Sequence, residues 1–306
     1  MRLIESTVEY IPQGEGLEGI YKQIELCGRT CYKSEDKITE DSAKGFVNRM
    51  IKSGHLSMTE HGTIYLKVDM QDTLAYSIWN RYMENPYSKS SQIQLNPKDP
   101  HKGFVCVTTN YRVLLENCWL NDLQYICEPT EFHERRYTLK FITDRGVSHE
   151  LVRHRKFSFA QESQRYCNYS KEKHGNDITF IKPSLLNCTY KHIPLESELC
   201  YLAKQHPDEA AHRFIASLVE SKYAYMTLLQ KGCSPQEARA VLPNATKTEI
   251  VMTGFASDWR FLLDLRLFEK TGKVHPDMLN LMQKTQKTMQ EAGIWDDIMS
   301  KPSKFE

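Results

Sequence analysis

Arg153-His154-Arg155-Lys156-Phe157-Ser158-Phe159-Ala160-Gln161-Glu162-Ser163-Gln164-Arg165 gathers three guanidiniums, an ammonium, an imidazole and two hydroxyls around one carboxylate. Arginine presents a planar fork of donors matched to phosphate oxygens, so this is the inventory of a phosphate-binding segment. A solvated basic face would have a similar composition. The apolar interruptions argue against it: Phe157, Phe159 and Ala160 belong in an interior and would tie the flanking arginines to the body of the protein. Upstream, the chain turns at Asp144-Arg145-Gly146, and Val147, Leu151 and Val152 then form a short amphipathic helix whose end delivers Arg153, His154 and Arg155.

On either side of this segment the sequence alternates helical and strand periodicities. Apolar spacing predicts a helix over 16–26, and Asp41-Ser42 with Gly54 bound another. Thr63 to Met70 alternates as a half-buried strand, with further strands expected at 8–11, 104–108, 136–143 and 246–253. A helix is expected over 110–126, a long one over 207–231, and others over 258–270 and 275–290. Ser234-Pro235-Gln236-Glu237 has the form of a capping box and opens a short helix that carries Arg239. Residues 84–103 and 167–193 read as loop insertions. The chain is expected to be one domain over 1–295 with a polar, frayed tail over 296–306. These elements give an α/β or α+β fold without a topology.

Composition narrows the partners. Of 306 residues, 40% are hydrophobic and 26% charged, ordinary values for a globular protein. Forty Lys plus Arg against 39 Asp plus Glu leaves no excess for a general polyanion binder, so any basic site must be local. Nine cysteines at irregular spacing contain no Cys-x-x-Cys pair, which points to a reducing, cytoplasmic setting. No stretch approaches the roughly 20 apolar residues of a membrane span. His149 and His154 lie five apart and diverge by roughly 140° on a helix, so no zinc site is expected there.

The segment from Arg153 to Ser163 has the form Arg-His-Arg-x7-Ser and resembles the signature of the flavin-dependent thymidylate synthases. Gly54-His55-Leu56-Ser57-Met58-Thr59-Glu60-His61 is similar to that family's Gly-His-x-Ser-x-x-Glu-His segment, and Ala238-Arg239-Ala240-Val241-Leu242-Pro243 and Asp264-Leu265-Arg266 resemble its later blocks. The resemblance implies a mixed, largely antiparallel sheet flanked by helices, in a homotetramer with active sites between subunits. It implies reductive methylation of deoxyuridylate (dUMP) to thymidylate, with methylenetetrahydrofolate as carbon donor, FAD as redox carrier and NADPH as reductant. By the same resemblance Arg153, His154, Arg155, Glu162, His61, Thr63 and Cys31 would meet FAD. Glu150, Arg153, Glu162, Ser163, Gln164, Arg165, Arg239 and Arg266 would meet the nucleotide, with Arg266, Glu162 and His61 the catalytic set. Gln161 replaces the family's usual asparagine, and Phe261 and Ser257 stand where polar or basic flavin contacts are common.

The residues leave alternatives beside this. Helical geometry puts Arg266 among Trp259, Leu262 and Leu263 on an apolar face, where a buried charge needs either an anionic ligand or an internal salt bridge. His61 could equally be a hydrogen-bonded structural histidine. Ser163 has no evident base partner and reads as a ligand, not a nucleophile. No cysteine follows a proline, as the nucleophile of the other thymidylate synthase class does. The competing reading is a nucleic-acid-binding module with Phe157 and Phe159 as stacking platforms.

Overall fold

Residues Lys247–Phe255 are rich in β-branched and apolar side chains, and they form strand β9, buried at every position after Lys247. The computed structural model describes residues 1–95, 99, 102–171, 176–184 and 210–305. β6 (Arg136–Asp144) pairs antiparallel with β9 from Arg136↔Phe255 to Asp144↔Lys247. β2 (Thr7–Tyr10) flanks β6 and β7 (Ser158–Gln161) flanks β9, giving a four-stranded antiparallel sheet in the order β2-β6-β9-β7. A second antiparallel sheet has the order β3 (Thr63–Asp69), β5 (Gly103–Asn110), β4 (Lys89–Gln94). The short strands β1 (Arg2–Ile4) and β8 (Thr179–Ile181) pair in parallel. The fold is therefore mixed and largely antiparallel, as the resemblance implied.

Helices cover both sheets. Ile20, Ile24 and Cys27 of α1 (Gly16–Tyr32) and Val47 of α2 (Ser42–Lys52) share a core with Ile64, Leu66, Val105 and Val107 of the three-stranded sheet. Along the other sheet, Leu139, Phe141, Ile250 and Met252 meet α5 (Arg145–Leu151), α8 (Ala256–Arg266) and α9 (Pro276–Glu291) through Leu151, Trp259, Leu262 and Leu281. A third cluster joins Leu3 and Phe180 to Ile215 and Leu218 of α6 (Ala210–Gln230). The expected start of that helix, 207–209, lies outside the described residues, as do 172–175 and 185–193 of the second expected loop.

Four local expectations change, one being that residues 167–193, read as loop, hold the short strand β8. Residues 84–103, read as loop, hold the end of α3 (Ala75–Glu84) and the edge strand β4. β4, Lys-Ser-Ser-Gln-Ile-Gln, lacks an apolar face, which hides an edge strand from periodicity. The single helix expected over 110–126 divides into α4 (Tyr111–Glu116) and a 3-10 turn at Leu120–Tyr125, because Cys118 takes a left-handed φ of 60° between them. The tail is ordered at its start. α10 (Trp295–Met299) buries Ile298, Asp297 accepts from the Tyr137 hydroxyl at 2.6 Å, and Phe305 stacks on Phe261 at 6.0 Å.

Candidate functional site

The basic segment bridges two elements. The Asp144 carboxylate accepts the Val147 N–H at 2.8 Å and starts α5, which ends before the exposed Arg153 and Arg155. The chain then turns through Phe157 N–H to His154 O at 3.1 Å and enters β7 on the edge of the sheet. Phe157 anchors this turn, 6% exposed and edge-on to Trp259 at 4.7 Å. Phe157 and Ala160 are thus interior and Phe159 is half-buried. Phe157 is unavailable as a stacking platform, which removes one of the two platforms of the nucleic-acid reading.

Arg266 meets the segment directly. Its Nη1 donates to Glu150 Oε2 at 3.1 Å and its Nε to His154 Nε2 at 3.2 Å. Burial and then the Arg266 charge pull the His154 pKa down to about 4, so at neutral pH the ring is uncharged. Accepting at Nε2 assigns its proton to Nδ1. The position of Arg266 corrects the expectation of a fully buried charge. Trp259, Leu262 and Leu263 are enclosed, but Arg266 closes the last turn of α8 and remains 23% exposed. The enclosed ion pair on this helix is Arg260 with Asp264, at 3.2 Å. The internal salt bridge, weighed above as the alternative, exists.

A second group forms where β7 ends. Glu162 is 2% exposed, and it accepts from Lys247 Nζ at 3.0 Å and from the Tyr169 hydroxyl at 3.1 Å. Burial, and then the Glu162 charge, push the Tyr169 pKa well up. Lys247 also meets Glu249 at 2.5 Å, and Glu249 is further bound by Lys33 and Lys140. Ser163 donates its N–H to the carbonyl of Cys31, on the last turn of α1, and Ser163 Oγ lies 3.4 Å from the Arg165 N–H. Gln164 is buried. Arg165 is exposed and donates from Nε to Gln236 Oε1 at 3.0 Å. Gln236 lies on α7 (Pro235–Ala238), which starts with the expected capping box, and Arg239 follows in a 3-10 turn. Arg145, which the sequence reading used only as a turn residue, belongs here. Burial and the neighbouring Arg239 guanidinium lower its pKa, while the Tyr169 and Glu162 charges act the other way.

On the other side of β7 lies a cavity of about 450 Å³ lined by Arg155, Lys156, Ser158, Arg136, Phe255 and Glu60 among others. Arg136 is 9% exposed and donates to Glu60 O and Thr63 Oγ1, both at 3.2 Å, and to Ser158 Oγ at 3.3 Å. None of these acceptors is a carboxylate, its Nε has no partner, and burial lowers its pKa to about 10. An anion entering the cavity would meet a guanidinium already stripped of water. Periodicity gave no sign of Arg136, although it follows Arg135 and opens a strand with no exposed position.

Two predicted flavin contacts lie elsewhere. His61 is fully enclosed, and its Nδ1 is 2.8 Å from Thr253 Oγ1 on β9. Burial and then Arg136 depress its pKa to about 3, so it is a neutral interior ring behind the cavity wall. Thr63 is buried, with its backbone N–H and carbonyl held by Gln13 at 2.8 Å each. Ser257 accepts from Lys89 Nζ at 2.6 Å, and Phe261 carries Phe305. His61 and Thr63 are therefore enclosed behind Arg136, while Arg155 lines the cavity and Glu162 lies at the end of β7.

The fold is antiparallel α+β, with the exposed Arg153 and Arg155 leading into β7 at the edge of the four-stranded sheet. The family model described as thymidylate synthase complementing protein matches residues 128–292, and the chain belongs to that family. A flavin-dependent thymidylate synthase of Corynebacterium aurimucosum is 26% identical over 282 residues, 88% of this chain and 79% of that protein. Another from Corynebacterium efficiens is 37% identical over 127 residues, 41% of this chain and 46% of that protein. A probable flavin-dependent thymidylate synthase of Paramecium bursaria Chlorella virus 1 is 28% identical over 143 residues, 47% and 62% of the two chains. Among solved structures, the UMP/dUMP methylase PolB of Streptomyces cacaoi aligns over 97% of this chain and 95% of its own, at 17% identity and a TM-score of 0.42. Among the described residues, no helix is long and apolar enough to cross a membrane.

Proposed function

We propose that the protein is a flavin-dependent thymidylate synthase. It methylates deoxyuridylate reductively to thymidylate, taking carbon from methylenetetrahydrofolate and reducing power from NADPH through bound FAD. The observation that carries this reading is the meeting of Arg266, His154 and Glu150, which joins the end of α8 to the Arg-His-Arg segment at 3.1 and 3.2 Å.

Arg165 and Arg239, with Ser163, offer charge-assisted and neutral donors for the nucleotide phosphate, each charged bond contributing about 1.5–3 kcal/mol. Arg266 is held at both ends, by Glu150 and His154, and so is oriented before a uracil carbonyl arrives. Its fixed charge favours negative charge developing on the pyrimidine ring and makes carbon 5 nucleophilic without thiolate attack. His154 stays neutral at working pH and therefore orients Arg266 without repelling it.

The basic cavity beside β7 fits the phosphates of FAD. Arg155 and the water-stripped Arg136 line it, and no carboxylate accepts from Arg136. Bound there, the flavin would supply hydride to the one-carbon unit. A homotetramer in which neighbouring chains complete each site would join the groups of residues that one chain keeps apart. The chain is read as one domain over 1–295, with the tail packed on it.

Purified protein should be yellow, should oxidise NADPH faster when deoxyuridylate and methylenetetrahydrofolate are present, and should form thymidylate. Colourless protein that accepts no flavin on reconstitution, or flavoprotein that forms no thymidylate, would refute this reading.

A further inference from the structure

The nucleotide-binding stretch leaves the sheet at Glu162. β7 ends at Gln161, and one more ladder bond follows, from Glu162 N–H to Glu249 O at 2.8 Å. Beyond it the backbone is tethered by Ser163 N–H to Cys31 O at 3.0 Å. The Glu162 side chain, next to Ser163, turns inward and is 2% exposed. The carboxylates here are unequally served. Glu249 is met by three ammoniums, those of Lys33, Lys140 and Lys247. Glu162 is met by that of Lys247, with the Tyr169 hydroxyl as its second donor. Lys247 and Glu249 lie two apart on β9 and so share one face of the strand, the face against which Glu162 folds.

We propose that Lys247 is a positioning residue for nucleotide binding: by holding Glu162 inside, it fixes the turn that presents Ser163 and Arg165 and keeps nearby guanidiniums available for phosphate. This rests on the functional reading above and deepens it. Removing the Lys247 ammonium leaves, among the described residues, Glu249 with two cations in ion-pair contact and Glu162 with none. A buried carboxylate without a cation either swings out, carrying Ser163 with it, or draws in a neighbouring guanidinium. Arg145, electrostatically coupled to both Glu162 and Arg239, is the one at hand. Either response takes donors from the phosphate while leaving Arg266 and the flavin cavity as they are.

The test is calorimetric titration of deoxyuridylate into the oxidised, flavin-loaded wild type and the variants Lys247→Met, Lys247→Arg and Lys247→Met/Glu162→Gln, with steady-state kinetics on each. Lys247→Met should raise Kd and KM by about tenfold or more, with kcat at saturating nucleotide within about threefold and flavin content unchanged. Lys247→Arg, which keeps the cation, should bind close to wild type. Lys247→Met/Glu162→Gln, read by thermal melting because Glu162 is itself an expected nucleotide ligand, should recover most of the stability lost in Lys247→Met, because the buried charge that needs Lys247 is gone. Wild-type affinity in Lys247→Met overturns the proposal. So does a double variant that melts as low as the single, or a fall in kcat with Kd unchanged. If Lys247→Met does not fold, the decision passes to Lys247→Arg, and loss of affinity in that variant overturns the proposal. If the wild type itself binds no deoxyuridylate, the functional reading fails and the pair is judged from thermal melting of the same proteins. Recovery of stability in the double variant then supports the pair, and additive losses overturn it.

Discussion

Arg266 shows how much a single residue's surroundings matter. The sequence placed it on an apolar face and asked for an anion, and the structure supplies Glu150 and a neutral imidazole while leaving the guanidinium partly open. Because it is not enclosed, Arg266→Ala should leave the melting temperature within a few degrees of wild type. It should lower kcat/KM for deoxyuridylate by about a hundredfold or more, the loss of roughly two charge-assisted bonds. Wild-type kinetics in that variant would remove Arg266 from the site. The two depressed histidines predict a pH dependence. His154 titrates at about 4 and His61 at about 3, against 6.5 for the free side chain. Between those values the unfolded chain binds more protons, so stability is full above about pH 6.5 and falls on acidification, by up to about 1.4 kcal/mol per pH unit for each ring. Urea unfolding at pH 7 and pH 5 should show this fall, and His154→Gln should flatten part of it. An equal fall in His154→Gln would assign the effect to other groups.

At the scale of elements, the site depends on how β7 lies beside β9. Gly254 on β9 faces the Phe157 ring so closely that a Cβ there would come within 2.5 Å of it. The ring is held by Trp259 and cannot turn away freely. Gly254→Ala should therefore cost about 1–3 kcal/mol by overpacking and should weaken binding at the Arg153–Arg165 segment, because β7 must shift. A variant as stable as wild type in thermal melting would sink this account. Elements with a strong period were legible in sequence: β3, α2, α9 and the capping box before Arg239 all match expectation. β4 was not, since an edge strand half-buried along most of its length needs no apolar face. The break at Cys118 was missed because a left-handed residue other than glycine leaves no mark in hydrophobic spacing.

At the scale of the molecule, predicted residues fall into three groups in one chain: Arg266 with His154, Glu162 beside the unforeseen Lys247, and Arg155 in the basic cavity with the unforeseen Arg136. If neighbouring chains complete each site, two inactive variants should repair one another. Mixing Arg155→Ala with Arg239→Ala under conditions that exchange subunits should restore measurable thymidylate formation, whereas persistent inactivity after proven exchange would place the whole site in one chain. Four motif blocks in order, Arg-His-Arg-x7-Ser among them, carried the family from sequence alone, because residue type and local spacing are properties of the chain before it folds. The sequence also carried the antiparallel class, through its resemblance to that family. Only the tertiary structure decided that Glu162 turns inward to Lys247, that His61 is enclosed, and that Arg136 lies in a cavity wall with no carboxylate accepting from it. Each of these depends on which strand lies beside which, and a charge acquires its role from the partners and the water that packing leaves it.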